Sequence, residues 1–123
     1  MNRSSGILLP VSALPGPCGI GDLGADARDF IDFLAAAGQR YWQILPLNPP
    51  DGAHSPYLSA STFAGSTDLL SPEPFLARGA LTAGEMRAID WGADPMRVDY
   101  DRVHAGRTAL WDAAFAREKA SAA

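Results

Sequence analysis

Cysteine is nearly absent. The one thiol, Cys18, closes no intramolecular disulfide, and with His54 and His104 the only histidines no Cys/His spacing matches a zinc site. Positive charge is also short. Ten Lys and Arg stand against fourteen Asp and Glu, a formal net charge of -4, so there is no basic field to attract a phosphate backbone and no nucleic-acid partner is expected. Long apolar runs are missing too. Pro10 and Pro15 break the N-terminal apolar patch, leaving it too short and irregular for a signal peptide or a membrane span. The expectation is a soluble, cytoplasmic chain with no membrane partner.

What remains reads as globular. The composition is 47% hydrophobic and 20% charged, which argues against disorder, and 123 residues set a prior of one domain. The organising stretch is Tyr41-Trp-Gln-Ile-Leu-Pro-Leu-Asn48. Its apolar run has the length of a buried parallel strand and opens into a loop rich in Pro, Asp, Gly, His and Ser. That loop carries Ser55-Pro56-Tyr57 and then Phe63-Ala64-Gly65. In parallel sheets ligands bind at the carboxyl ends of strands, so this loop is the first place to look for function.

Before it, Gly6 to Leu9 reads as a first strand, and Pro10 to Asp22, with three prolines and three glycines, as a loop. Ala27, Phe30, Ile31 and Leu34 then follow the spacing of one buried helical face, with Asp26 and Asp29 at the start and Gly38 as the stop. The second strand, Tyr41 to Leu45, completes a βαβ unit with parallel strands. Beyond Gly65 the pattern turns helical. Pro72 to Arg78 supplies a turn or two, and Thr82 with Glu85 matches a capping box for a short helix through Ile89. A final helix starts at Asp99 or Asp101, with Val103, Leu110, Ala114 and Phe115 as its apolar stripe, Gly106 interrupting it, and an end at Ala120 to Ala123 that reads as frayed or cut. Two parallel strands leave open sheet edges and uncovered faces, and a barrel of this type needs roughly 200 residues or more. The expectation is the first part of something larger.

Candidate chemistry is sparse. Gly19-Ile-Gly21-Asp-Leu-Gly24 fits the dinucleotide fingerprint formally, but it does not directly follow a strand, and no acidic residue for a ribose ends the second strand. The glycines are read as permitting a tight loop, with Asp22 as helix N-cap or as a group pointing into a site. Tyr57, fixed behind Pro56, can stack on the apolar face of a sugar; the alternative is a ring packed on its own loop. His104 reads as a boundary residue, and His54 contributes at most indirectly. Trp42 reads as core, Trp91 and Trp111 as packing residues. Glycoside chemistry needs two carboxylates across the scissile bond, and nothing marks Asp22 and Asp51, the two acids at strand-end loops, as such a pair.

Ser4-Ser-Gly-Ile-Leu-Leu-Pro-Val-Ser12, Leu14-Pro-Gly-Pro17, Gly19-Ile-Gly-Asp-Leu-Gly24, Ala37-Gly-Gln-Arg-Tyr-Trp-Gln-Ile-Leu-Pro-Leu47, Ser55-Pro-Tyr57 and Phe63-Ala-Gly65 occur in the order found near the start of 4-α-glucanotransferases. The chain resembles these enzymes, also called amylomaltases or disproportionating enzymes (glycoside hydrolase family seventy-seven). The resemblance implies an α/β fold, the N-terminal part of a (β/α)8 TIM barrel over residues 1–123, with 66–123 a helical insertion within it. It implies transfer of α-1,4-glucan segments to glucose or another glucan, by retaining double displacement between an aspartate nucleophile and a glutamate acid/base. α-1,4-Glucans and maltooligosaccharides are the implied partners, with no metal or organic cofactor.

By the same resemblance Tyr57 is the tyrosine that stacks on sugar at the cleavage site, and Ser55 contacts a donor glucose. The catalytic carboxylates belong to later strands, beyond residue 123, so none is assigned here and the fragment alone is expected not to turn over. The chain departs from the family at His54, where Asp or Asn is usual, at Leu58, often Gln, and at Ser66-Thr67 in place of Asn-Pro. The alternative from another class is a non-catalytic glucan-binding fragment or gene remnant.

Overall fold

The computed structural model describes residues 3–122. Two strands, β1 (Gly6–Leu8) and β2 (Tyr41–Gln43), pair in parallel with Gly6 opposite Tyr41 and Leu8 opposite Gln43. Helix α1 (Ala25–Ala36) connects them, completing the expected βαβ unit. Its end is set by Gly38, whose φ of 72° is a backbone state that a side chain disfavours. β2 stops short of the expected Leu45. The last ladder bond runs from Leu9 N–H to Gln43 O, and Leu9 O accepts from the Trp42 indole N–H instead of from a further backbone N–H of the second strand.

Within the described residues the sheet is left uncovered. All three residues of β1 are exposed, as are Tyr41 and Gln43 of β2, because two strands carry no further layer on their free face. Trp42, expected in the core, is half-buried instead. It meets Phe30 edge-on at 5.1 Å between ring centroids, and its indole N–H donates to Leu9 O at 2.8 Å. These contacts pin α1 to the strands. Ala27 and Leu34 are buried on α1 as expected, whereas Ile31 is 52% exposed.

The core lies away from the sheet, among α2 (Glu73–Ala77), α3 (Ala83–Ala88) and α4 (Tyr100–Ser121). Ala80, Leu81, Leu110 and Ala114 form its centre, with Phe75, Met86, Ile89, Trp91 and Trp111 around them. Trp91 and Trp111 are thus packing residues, and each indole N–H is used, toward Met86 O and Thr67 O. The capping box opens α3 as expected: Glu85 N–H donates to Thr82 Oγ1 at 3.2 Å, and Thr82 N–H to the Glu85 carboxylate at 2.7 Å.

The α4 stripe needs three corrections. Phe115 is 69% exposed, since it lies one residue, about 100°, off the face through Val103, Leu110 and Ala114. Gly106 does not interrupt that face; it is buried and lets Ile89 and Trp91 close over the helix. Ala120 and Ser121 continue the helix rather than fray, while Ala123 lies outside the described residues.

Candidate functional site

The segments that leave the carboxyl ends of β1 and β2 converge. Pro10 to Ser12, following β1, and Leu45 to Asn48, following β2, line a cavity of about 160 Å³ closed by Pro56 and Tyr100. The first of these segments is a packed loop. Val11, Leu14, Cys18 and Ile20 are buried in it. Gly21 donates to Ser12 O at 3.3 Å, and a Cβ at Gly21 would lie 2.1 Å from Val11 O. The chain's own backbone fills the space where a dinucleotide phosphate would approach, which accounts for the glycines without a ligand.

Asp22 is neither helix cap nor site acid. Gly24 is the N-cap of α1. The Asp22 side chain is buried and accepts from Arg107 Nη2 at 2.9 Å, while Arg107 Nη1 donates to Leu70 O at 2.6 Å. Desolvation pushes the Cys18 thiol above its usual range; Arg107 pulls it down and Asp22 raises it further. A buried thiol held protonated is a packing group and not a nucleophile.

The second segment, 47–66, is a compact loop tied at its neck. Ser66 N–H donates to Leu47 O at 2.7 Å. Asn48 Nδ2 lies 3.0, 2.7 and 3.1 Å from the carbonyls of Ser61, Thr62 and Ala64, so its two hydrogens are shared among three acceptors. At the tip, Asp51 N–H donates to Leu58 O at 2.8 Å and Leu58 N–H to Ser55 O at 3.1 Å. Asp51 turns the chain by accepting from Ala53 N–H, a structural and not a catalytic use.

This scaffold displays apolar side chains to solvent. Tyr57 is 70% exposed and Phe63 99%, with Leu58 between them at 56%. Tyr57 is therefore not packed on its own loop. Ser55 is half-buried beside it. Asn48, the residue that ties the loop, was missed by sequence reasoning; an Asn two residues past Pro46, where the apolar run gives way to the loop, was the available signal.

The two histidines line one cavity, together with Asp68 and Tyr100. His54 stacks on Tyr100, with centroids 4.6 Å apart and planes at 12°, and His104 Nδ1 lies 3.2 Å from the Asp68 carboxylate. Among the described residues no group of three or more His, Cys, Asp or Glu is placed to hold a metal ion. Nor is any helix of the described residues long and apolar enough to cross a membrane.

Comparison with known proteins decides the family. A family model described as 4-alpha-glucanotransferase matches residues 9–123. The chain belongs to the 4-alpha-glucanotransferase family. It is 43% identical over 115 residues to the 4-alpha-glucanotransferase of Streptococcus pneumoniae serotype 4, covering 94% of this chain and 23% of that protein. It is 45% identical over 121 residues to the 4-alpha-glucanotransferase of Thermus thermophilus, covering 97% and 23% respectively. Amylomaltase from Streptococcus agalactiae in complex with acarbose superposes with a TM-score of 0.88 at 37% identity, over 93% of this chain and 23% of that one. The chain thus spans about a quarter of the length of these 4-alpha-glucanotransferases, and its α/β fold is the corresponding part of a TIM-barrel enzyme.

Proposed function

We propose that this chain is the N-terminal part of a 4-alpha-glucanotransferase, contributing a sugar-contacting loop to an enzyme that transfers α-1,4-glucan segments with retention. Tyr57 stacks on the apolar face of a glucose unit, and Ser55 supplies a hydroxyl to the donor sugar. Residues 66–123 form a helical insertion that backs this loop. The aspartate nucleophile and glutamate acid/base lie in segments outside this chain, and the double displacement they perform needs no metal or organic cofactor.

One observation carries the reading: a tyrosine 70% exposed, behind a proline, on a loop rising from the carboxyl end of a barrel strand. A ring that is not packed on its own loop, behind a proline and after the carboxyl end of a strand, is available to a sugar face.

The test is disproportionation of maltotriose by the polypeptide at its full encoded length. Glucose release with matching growth of longer maltooligosaccharides is expected, and Tyr57→Ala is expected to lower transfer by loss of stacking worth about 1–3 kcal/mol. Wild-type kinetics in that variant would remove Tyr57 from the site. The 123-residue chain by itself is expected to release no glucose.

A further inference from the structure

His54 is the one residue other than glycine with positive φ among the described residues, at 58°. That left-handed state disfavours a residue bearing a side chain and persists only where the surroundings over-determine it. Its place in the chain makes the strain consequential. Ser55, Pro56 and Tyr57 follow directly, and the proline ring fixes its own φ, so the direction in which the backbone enters Tyr57 is set at His54 and Ser55.

Contacts of two kinds hold His54. Locally, its N–H donates to Asp51 O at 2.9 Å. From afar, its imidazole lies flat on the ring of Tyr100, centroids 4.6 Å apart, and Nε2 is 4.0 Å from Asp101 Oδ1. Tyr100 and Asp101 begin α4, a helix capped by Asp99 through the Arg102 N–H at 3.2 Å and locked to the first loop by the Arg107–Asp22 pair. One end of the link is therefore a rigid element and the other is the strained hinge of the exposed loop.

We infer that His54 is a positioning residue: its stack on Tyr100 transmits the placement of α4 to the Ser55–Tyr57 segment and so fixes the angle at which Tyr57 meets sugar. This rests on the glucan contact proposed for Ser55 and Tyr57. A group held in this way affects productive binding through orientation without touching substrate.

The test compares Tyr100→Leu, Tyr100→Phe, His54→Asn and Tyr57→Ala with wild type in the full encoded polypeptide, measuring kcat and KM for maltotriose and the melting temperature. Asn tolerates positive φ, so His54→Asn removes the ring while sparing the backbone. Tyr100→Leu and His54→Asn are each expected to raise KM about three- to tenfold, the range of an aromatic pair, with kcat within about twofold. Tyr100→Phe retains a ring and should behave as wild type. A double variant combining His54→Asn with Tyr100→Leu, measured alongside, should be no worse than the poorer single, because both changes break one contact.

Unchanged KM in His54→Asn and Tyr100→Leu beside an impaired Tyr57→Ala overturns the positioning role alone. Multiplying effects in the double variant also overturn it. Wild-type kinetics in Tyr57→Ala overturn the glucan contact, and the positioning role with it. Should Tyr100→Leu melt early, His54→Asn, which leaves α4 intact, decides.

Discussion

Arg107 and Asp22 stand 85 residues apart in sequence and 2.9 Å apart in space, the arginine side chain with no exposed surface and the aspartate nearly so. Their pairing joins the loop after β1 to the middle of α4. Since Arg107 also donates to Leu70 O, three segments meet at one guanidinium. Its Nε is the only buried side-chain polar atom among the described residues without a hydrogen-bond partner.

Removing one member of such a pair leaves the other as an uncompensated buried charge. Arg107→Ala is expected to destabilise the fold by about 3–5 kcal/mol. Combining Arg107→Met with Asp22→Asn removes both charges and should cost less than the single change. Urea unfolding monitored by tryptophan fluorescence measures both; a single variant as stable as the double one would show that the pair does not act as a unit.

Gly106→Ala sets two effects against each other. Alanine favours an internal helical position by about 1 kcal/mol over glycine. Here, however, the new Cβ would lie 2.6 Å from Ile89 Cγ2 and 2.7 Å from Trp91 Cζ3. Overpacking of this kind costs about 1–3 kcal/mol, so net destabilisation is expected. A melting temperature at or above that of wild type would mean that α3 and Trp91 give way freely.

Glu85 carries a pH signature. Hydrogen bonds from Arg117, and then from the Thr82 hydroxyl and backbone N–H, lower its pKa from the ordinary 4.5 to about 2. A carboxylate held this way binds fewer protons in the folded state. Its stabilisation is complete above about pH 4.5 and is lost as the pH falls to about 2. The melting temperature of Glu85→Gln should lie below that of wild type at neutral pH, with the gap closing across that window. The pair is exposed, so the gap is small. A gap that stays constant with pH would assign the loss to something other than the carboxylate charge.

Features governed by neighbours in sequence were legible without coordinates. The capping box at Thr82 needs a hydroxyl and a carboxylate three residues apart, and Gly38 ends α1 because its own backbone accepts positive φ. The βαβ unit likewise follows from apolar period and chain punctuation. Misreadings occurred where a distant group intervened. Asp22 reads locally as a cap, but no local signal announces an arginine arriving from α4. Phe115 extends an apolar list, but the angular width of the buried face excludes it.

The candidate site divides in the same way. Residue order and spacing alone placed Ser55, Pro56 and Tyr57 on a loop after the second strand and marked the family, because short motifs are properties of the chain. Tertiary structure alone decided that Tyr57 is exposed, that Asn48 ties the loop neck, and that His54 lies on Tyr100. Each of these depends on how elements far apart in sequence are brought together, and burial, hydrogen-bond partners and ring stacking exist only once they are.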